Sequence, residues 1–470
     1  MHENLNTDYE SGLKRNLSPM NVWALAFGCM IGWEIFAMPA DRLLPNAGPF
    51  GTLLAVLITM GIMLLIAANY HYMINRYPSV GGVLTFSRMA FGREHAFLCA
   101  WFLSLAYIVV IPLNATALSV IGRSLLGNLY PDGLRYRMMD TDIYLCEILV
   151  TAAVLILTGL LCIRGGQMVG RLQTGLVGIL LLGIAVFAVA LVIQPGILFA
   201  GLNPVYVPER NHELQILTVV TMAPLMFAGF DTISHMSEEF WFSPKKSFSI
   251  MAWAILLGGI VYIVLTLMNT AIVPEEFSNW YDYNQNMERM SGEEAVPIFY
   301  AIYQLLGDAG PVIAGIVGIA ASVTGMVGFY MAASRILFSM TSDHILPQWF
   351  GRLNHHRTPG HAILFIMAVS LPVILLGYDS IEWLSELAAL GALIGFGYTS
   401  ASAYKFAKEE ENERVKLTGM LGVILSVLFG LLLLIPNPLA VCSLGQEAYA
   451  VLTVWSILGF VFYWRAIRKW

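Results

Sequence analysis

Long apolar stretches separated by short polar segments dominate this chain. A helix that spans a bilayer needs about 20 mostly apolar residues, and about twelve stretches meet that requirement. They cover residues 18–41, 51–75, 95–122, 144–163, 172–194, 214–240, 248–273, 296–334, 360–377, 381–404, 417–435 and 447–464. The pattern predicts an all-α membrane protein, in which the eighth stretch is long enough to tilt or to end in a helical extension outside the membrane.

Two of these stretches carry glycine and proline at mid-span. The first reads GCMIGWEIFAMP from Gly28 to Pro39, and the sixth reads PLMFAGFD from Pro224 to Asp231. Glycine and proline weaken or break a helix, and irregular backbone at membrane depth survives only where protein surrounds it or where it lines a cavity. Two breaks that lie five spans apart are typical of transporters built from an inverted repeat.

The breaks therefore predict a 5+5 inverted repeat of the leucine-transporter-like fold, with broken helices 1 and 6. We expect an N-terminal tail over residues 1–16, a first repeat (helices 1–5) over 17–200, a second repeat (helices 6–10) over 210–405, and helices 11–12 with the C-terminus over 417–470.

Glu34 is a carboxylate inside the first stretch. A charge at bilayer depth is costly, and such a residue is a functional-site hypothesis by default. In one interpretation Glu34 binds a cation or carries a proton, which favours a cationic amino acid, a polyamine or a monoamine as substrate. In the other it is structural, because it turns away, is protonated or pairs with a basic residue such as Arg42, and the substrate is a neutral amino acid.

Composition agrees with a membrane protein. The 470 residues are 58% hydrophobic and 12% charged, against about 25% charged residues in soluble domains. With twelve spans, 19 of the 25 Lys and Arg fall in the segments that lie on the same side of the membrane as the N-terminus, which predicts a cytoplasmic location for both termini in a cell membrane. The first thirteen residues are polar and acidic, so we expect no cleaved signal peptide. The cysteines form no CxxC pair, which predicts neither a disulfide framework nor a zinc site.

Enzyme motifs are missing from the sequence. It has no GxSxG and no P-loop sequence, so serine hydrolysis and ATP-driven pumping are unsupported. Three histidines, His355, His356 and His361, cluster with Arg352 and Arg357, but they lack the H-x-x-x-H spacing with a carboxylate that a metalloenzyme helix uses. The prediction is a protein that is not an enzyme, whose partners are the lipid bilayer and a small molecule rather than nucleic acid; its oligomeric state does not follow from these patterns.

Four segments resemble the amino acid, polyamine and organocation (APC) superfamily. GCMIGWEIFAMP followed by NAGP is similar to its first helix, G-x-x-I-G-x-G-I-F-x-x-P, and PLMFAGFDTISHMSEE to its sixth, F-x-G-F-D-x-x-x-x-x-x-E-E. PSVGGVLTFSRMAFG (residues 78–92) resembles the loop and helix after the second span, and residues 333–359 resemble the loop after the eighth. The resemblance implies a twelve-helix permease that moves amino acids or related amines by alternating access, and a membrane sensor or scaffold derived from such a transporter is the remaining alternative.

The resemblance also implies a substrate site between helices 1 and 6, flanked by helices 3 and 8. Its candidate residues are Ile31, Gly32, Trp33 and Glu34 on helix 1, Phe227, Ala228, Gly229, Phe230 and Asp231 on helix 6, and Asn114 on helix 3. The superfamily has glycine where Glu34 stands, and this departure is what favours a cationic substrate. Trp33 and Phe227 are aromatic faces for an ammonium group or packing residues; Phe230 is a candidate lid, and Asp231 is either a helix cap or a ligand contact.

Coupling and gating have further candidates. His235 follows Asp231 by four residues, so in an α-helix the two would share a face and relay protons, unless the histidine is held by a local hydrogen bond. Ser322 and Thr324 form a cation site with carbonyls of helix 1, or they bond back to their own helix. Glu238 and Glu239 are candidate gate residues with Arg335. Some APC members use a helix-5 lysine in place of sodium, but no lysine lies between Lys14 and Lys245. No cofactor or metal is expected, and a coupling proton, a coupling sodium ion or ion-free exchange all remain open.

Overall fold

The protein is described by a computed structural model over residues 12–126, 134–138, 141–194, 196, 201–290, 292–342, 344–437 and 443–467. Residues 1–11 of the tail predicted over residues 1–16 lie outside this part of the chain. Within it the molecule is a helical bundle with one small antiparallel hairpin, in which Arg135 pairs with Tyr144 and Met138 with Thr141.

The α-helices and the two strands are numbered in chain order. They are α1 Pro19–Ile31, α2 Glu34–Met38, α3 Leu44–Arg76, α4 Val83–Phe91, α5 Arg93–Leu126, β1 Arg135–Met138, β2 Thr141–Tyr144, α6 Leu145–Ile163, α7 Gly166–Val192, α8 His212–Val220, α9 Ala223–Phe227, α10 Ser247–Ala271, α11 Trp280–Asn286, α12 Pro297–Leu306, α13 Ala309–Ser342, α14 Gly360–Val373, α15 Ser380–Glu409, α16 Glu413–Leu434 and α17 Gln446–Ile467. A π-helical turn, Pro39–Leu43, joins α2 to α3, and shorter 3-10 helices include Phe230–Glu239 and Ile374–Leu376.

Most of the predicted spans have a matching helix. In the described part of the chain nine helices are long and apolar enough to cross a membrane, or ten if the bent pair at residues 212–239 is one span. Pro19–Ile31 and Gly360–Leu376 are shorter apolar helices at the first and ninth predicted spans. The count of twelve and the inverted repeat stay predictions.

The eighth predicted span, residues 296–334, is wrong as a single helix. Gly307 has φ of 60°, a left-handed conformation that favours glycine, and it ends α12 one turn before α13 begins. The long helix is therefore displaced toward the C-terminus, to Ala309–Ser342.

Local chemistry fixes where the first helix begins. The Ser18 hydroxyl accepts a hydrogen bond from the Asn21 amide (3.1 Å), and the Asn21 side chain accepts one from the Ser18 amide (3.3 Å). This reciprocal cap and Pro19 at the first helical position satisfy the free N–H groups of the first turn. From there α1 runs into the core, where it packs against α7, α10 and α13.

Two tryptophans attach the last helix to the bundle. The indole N–H of Trp101 on α5 donates to the carbonyl of Trp455 on α17, and the Trp455 indole donates to the carbonyl of Trp101, both at 3.0 Å. The two rings stack with centroids 4.7 Å apart. This reciprocal pair, which we call the tryptophan lock, joins the otherwise largely exposed α17 to a buried helix.

Candidate functional site

The first break begins where α1 ends. Gly32 and Trp33 form a turn between α1 and α2, and the Trp33 amide donates to the Asn114 side-chain oxygen (2.9 Å). The Asn114 amide group in turn donates to the Val110 carbonyl on its own helix (3.0 Å). A Cβ atom at Gly32 would lie 2.7 Å from that same Asn114 oxygen, so only glycine lets the two helices approach this closely. Asn114 thus satisfies a backbone donor that the break releases.

The second break is organised by Asp231. Gly229 has φ of 122°, and its amide donates to one Asp231 carboxylate oxygen (3.0 Å). The Tyr107 hydroxyl donates to the other oxygen (2.6 Å). Both oxygens of this fully buried carboxylate therefore have a partner, and Asp231 caps the start of the second half of the broken helix.

The two breaks are in direct contact. A Cβ atom at Gly229 would lie 2.7 Å from the Cys29 Cβ and 2.8 Å from the Met30 amide nitrogen. Thr232 keeps the turn compact by donating to the Gly229 carbonyl (2.6 Å). The broken span over residues 212–239, which is the predicted helix 6 and is called helix 6 below, therefore lies against the backbone of α1 at Gly229, without a side chain between them.

Apolar packing surrounds this contact. The Phe227 ring lies 5.9 Å from the Tyr262 ring, and the Phe230 ring lies 5.5 Å from the Phe396 ring. Both phenylalanines and Ile31 are fully buried, and Ala228 is half-buried. In this conformation the Phe227 and Phe230 side chains are packing residues.

An open cavity lies beside the first break. It has a volume of about 450 Å³ and opens on the face opposite the start of α1. Its lining includes Trp33, Glu34, Asp41, Arg42, Leu225, Tyr378, Asp379 and Glu382. We call this space the acidic cavity, because four carboxylates and one basic residue line it. Of the ten predicted substrate-site residues, only Trp33 and Glu34 line it.

Trp33 and Glu34 have different surroundings in the acidic cavity. The Trp33 ring stacks between Phe36 (6.2 Å) and Phe299 (6.3 Å), and its buried indole N–H has no partner among the described residues. The Glu34 carboxylate lies near the Ser385 hydroxyl and within the field of Arg42. The cation that was a possible partner for Glu34 is instead 3.5 Å from Glu382, in a pair whose glutamate is largely exposed.

Gln173 occupies the space between α1 and α13, the predicted helices 1 and 8, where the sequence predicted a possible cation site. The Gln173 amide nitrogen donates to the carbonyls of Ala24 (3.3 Å) on α1 and Thr324 (3.1 Å) on α13. The Thr324 hydroxyl bonds back to the Ala321 carbonyl (2.8 Å), and the buried Ser322 hydroxyl has no partner among the described residues. A neutral amide group therefore occupies the carbonyl oxygens that a cation between these two helices would coordinate.

The predicted Asp231 and His235 pairing is wrong in its geometry. Residues 230–239 form a 3-10 helix with about three residues per turn, so positions four apart do not share a face. The Tyr107 side chain lies against both residues, with its ring 5.6 Å from the His235 ring. The His235 ring is buried and lies against the backbone of Val80 and Gly81 in the loop before α4.

The face at which α1 begins, which we call the N-terminal face, is closed. Arg335 forms a bidentate pair with Glu239, at 2.8 and 3.2 Å, and both side chains are almost completely buried. Glu238 accepts a hydrogen bond from the Val80 amide (3.3 Å). The Glu239 carbonyl accepts hydrogen bonds from the amides of residues 16 and 17, so the chain just before α1 is tied to the end of helix 6.

Sequence reasoning missed four of the residues that shape these sites. They are Tyr107, Gln173, Asp41 and Glu382. Gln173 is a strongly polar residue near the start of the predicted span 172–194. A polar amide inside an apolar stretch is a signal that could have indicated it. Tyr107 and the two acids carry no such signal, because their roles depend on which helices meet.

The comparisons with known proteins agree with this architecture. The family model described as "Amino acid permease" matches residues 17–462. The chain belongs to the amino acid permease family. The permease is 22% identical to the branched-chain amino acid permease BcaP of Lactococcus lactis over 87% of its own length and 86% of the relative's. It is 25% identical to the methylthioribose transporter of Bacillus subtilis (84% and 82% covered) and 24% identical to the low-affinity putrescine importer PlaP of Escherichia coli K12 (80% and 76%).

These relatives are transporters of amino acids or other small molecules. The prediction of an APC-type permease is confirmed, as is the all-α membrane fold.

Proposed function

We propose that this permease carries an amine or a cationic amino acid across the cell membrane by alternating access, with both termini in the cytoplasm. The observation that carries the proposal is the acidic cavity, in which Glu34, Asp41, Asp379 and Glu382 face a single basic residue, Arg42. A cavity lined by one sign of charge concentrates ligands of the opposite sign. An ammonium group is the ligand that this charge distribution favours.

The hydrogen bonds at the two breaks support a substrate without an essential carboxylate. An anionic group would need free backbone donors at the half-helix ends. The Trp33 amide already donates to Asn114, and the Gly229 amide already donates to Asp231. A bound carboxylate would have to displace one of these side chains or use other donors, whereas an ammonium group needs only acceptors.

The closed N-terminal face supports alternating access from this conformation. The Arg335 and Glu239 pair closes one side, while the acidic cavity opens on the other. Under the cytoplasmic assignment of the termini, this is an outward-open state. The gate roles of Glu238 and Glu239, and the substrate roles of the residues at the breaks, form part of the proposal.

A substitution at Glu34 tests the substrate class. Glu34→Gln removes one charge at nearly constant volume, and we expect it to weaken binding of putrescine or arginine about tenfold, since a charge-assisted hydrogen bond contributes about 1.5–3 kcal/mol. Isothermal titration calorimetry on purified protein measures this. Glu413→Gln is the matched control, because Glu413 is an exposed acid on the opposite face, paired with Lys416.

A neutral amino acid is the second candidate substrate. It is favoured by the Ser385 hydroxyl beside Glu34, which gives this carboxylate a local structural partner, and by the apolar packing around Phe227 and Phe230. Unchanged putrescine and arginine affinity in Glu34→Gln, together with leucine binding by the wild type, would establish this alternative. Leucine binding that appears only in Glu34→Gly would instead support the cationic assignment, since glycine restores the family pattern.

We propose further that transport is exchange without a coupling ion. The support is Gln173, whose amide holds the two carbonyls that a cation would otherwise bridge. In proteoliposomes, uptake should be faster with internal substrate than without it, and should not change when sodium is replaced by potassium. Gln173→Lys should make uptake depend on pH. Strict dependence on an imposed proton or sodium gradient in the wild type would contradict exchange.

A further inference from the structure

A second cavity lies on the N-terminal face, far from the acidic cavity. It has a volume of about 550 Å³ and lies between the end of α6, the start of α7 and the loop before α14. Five basic side chains line it, namely Lys14, Arg164, His355, His356 and Arg357. No carboxylate of the described residues lines this cavity, which we call the basic cavity, and none of the five forms an ion pair with a described acid.

The loop that supplies three of these side chains is held in place by Asn354. The Asn354 amide group donates to the Ile163 carbonyl at the end of α6 (2.8 Å). Its side-chain oxygen accepts hydrogen bonds from the amides of His356 (2.9 Å) and Thr358 (3.0 Å). Arg357 has φ of 57°, which turns the loop back on itself. The basic residues are thus fixed on a folded loop that is attached to α6.

The start of α7 adds backbone donors to the same space. Gly166 and Gln167 line the basic cavity in the first turn of this 27-residue helix, and Gly165 before it has no side chain to cap their amides. Free N–H groups at a helix start and guanidinium groups both bind phosphate oxygens. The cavity therefore combines two kinds of donor for one tetrahedral anion.

Apolar side chains next to the cavity face outward. Met168, which lines the cavity, is 41% exposed, and Leu157 and Leu160, one to two turns before Arg164 on α6, are 59% and 45% exposed. In a membrane such side chains contact acyl chains. A ligand that joins a phosphate to acyl chains satisfies both the basic cavity and its apolar border.

We propose that the basic cavity binds the phosphate of an anionic phospholipid headgroup, with Arg164 and Arg357 as its main donors. Basic pockets between helices at the cytoplasmic membrane surface have the chemistry to hold such headgroups. The proposal does not depend on which substrate the permease carries, because the two cavities share no residue.

Native mass spectrometry of delipidated, full-length permease tests this site. Phosphatidylglycerol should bind the wild type more tightly than phosphatidylcholine does, and Arg164→Gln with Arg357→Gln should weaken phosphatidylglycerol binding about thirtyfold, since each basic residue beside an anionic lipid contributes about fivefold. The matched control is Arg171→Gln with Arg352→Gln, which removes two exposed charges outside the cavity and should bind as the wild type does.

Two further arms separate the outcomes. Arg164→Lys with Arg357→Lys keeps the charge and should retain most of the binding, so a loss in the glutamine variant cannot be ascribed to misfolding. Inorganic phosphate tests for a soluble anion: if it protects the wild type thermally while phosphatidylglycerol binds no better than phosphatidylcholine, the lipid assignment is wrong. Equal phosphatidylglycerol affinity in the wild type and the glutamine variant would overturn the site itself.

Discussion

Glu34 and Asp231 are carboxylates at corresponding helix breaks, yet their surroundings differ. Both Asp231 oxygens accept hydrogen bonds from within the protein, so this residue holds the break in shape. Glu34 lines an open cavity beside Arg42 and Ser385. At the residue scale, a carboxylate whose oxygens already accept hydrogen bonds from the protein has little accepting capacity left for a ligand. A carboxylate that faces a cavity has more.

Gly229 is the residue where bulk should be tolerated least. Gly229→Leu places a side chain against the backbone of Cys29 and Met30 and forces a β-carbon into φ of 122°. We expect it to abolish transport in proteoliposomes, because the two broken helices cannot stay in contact. Membrane insertion, measured by fluorescence-detected chromatography, should be retained.

The control for this variant is Gly178→Leu. Gly178 lies on α7, and a Cβ atom there would meet nothing within 4 Å. Transport at the wild-type rate by Gly229→Leu would refute the close contact of the breaks.

The sequence predicted these breaks well and their partners poorly. Glycine and proline indicate a break from local chemistry alone, and Asn114 could be proposed from its depth in a span. Tyr107 could not, because its role depends on the distance between α5 and helix 6. The predicted shared face of Asp231 and His235 was wrong because it assumed an α-helix, whereas residues 230–239 form a 3-10 helix.

Between elements, the main link at the N-terminal face is the pair of Arg335 on α13 and Glu239 at the end of helix 6. Removing one partner of a buried pair leaves an uncompensated charge, which costs about 3–5 kcal/mol. Arg335→Ala should therefore lower the melting temperature and open this face more often. Cysteine-accessibility labelling at this face measures the second effect.

The charge-reversed double variant separates pairing from packing. Arg335→Glu with Glu239→Arg restores opposite charges and should recover part of the stability lost in either single variant. A melting temperature in Arg335→Ala equal to that of the wild type would show that the pair does not stabilise this conformation.

At the scale of the whole molecule, the hydrophobic pattern predicted the membrane-length helices of the described chain but failed at the boundary between α12 and α13. The window of residues 296–334 is continuously apolar, and hydropathy does not register a single left-handed glycine at residue 307. The acidic cavity was also beyond the pattern, since Asp41 and Glu382 come from helices distant in sequence and each looks like an ordinary acid near a span end.

The tryptophan lock should determine how firmly α17 is held. Trp455→Phe keeps most of the ring stacking but removes the indole N–H that donates to the Trp101 carbonyl, at a cost of about 0.5–1.5 kcal/mol, while the Ser104 hydroxyl still donates to that carbonyl. We expect a small fall in melting temperature with transport intact. Trp464→Phe, at an exposed position on the same helix, is the control, and an equal fall in both variants would argue against the lock.

Cys29 gives the contact between the two broken helices one more consequence. Its thiol lies in the core, where its sulfur is 3.5 Å from the Thr232 hydroxyl oxygen and Gly328 leaves just enough room for it. A water-soluble alkylating reagent can reach this sulfur only after α1 and helix 6 separate. The rate at which Cys29 of the native chain is alkylated therefore reports how often the broken helices separate, and it can be measured with and without substrate.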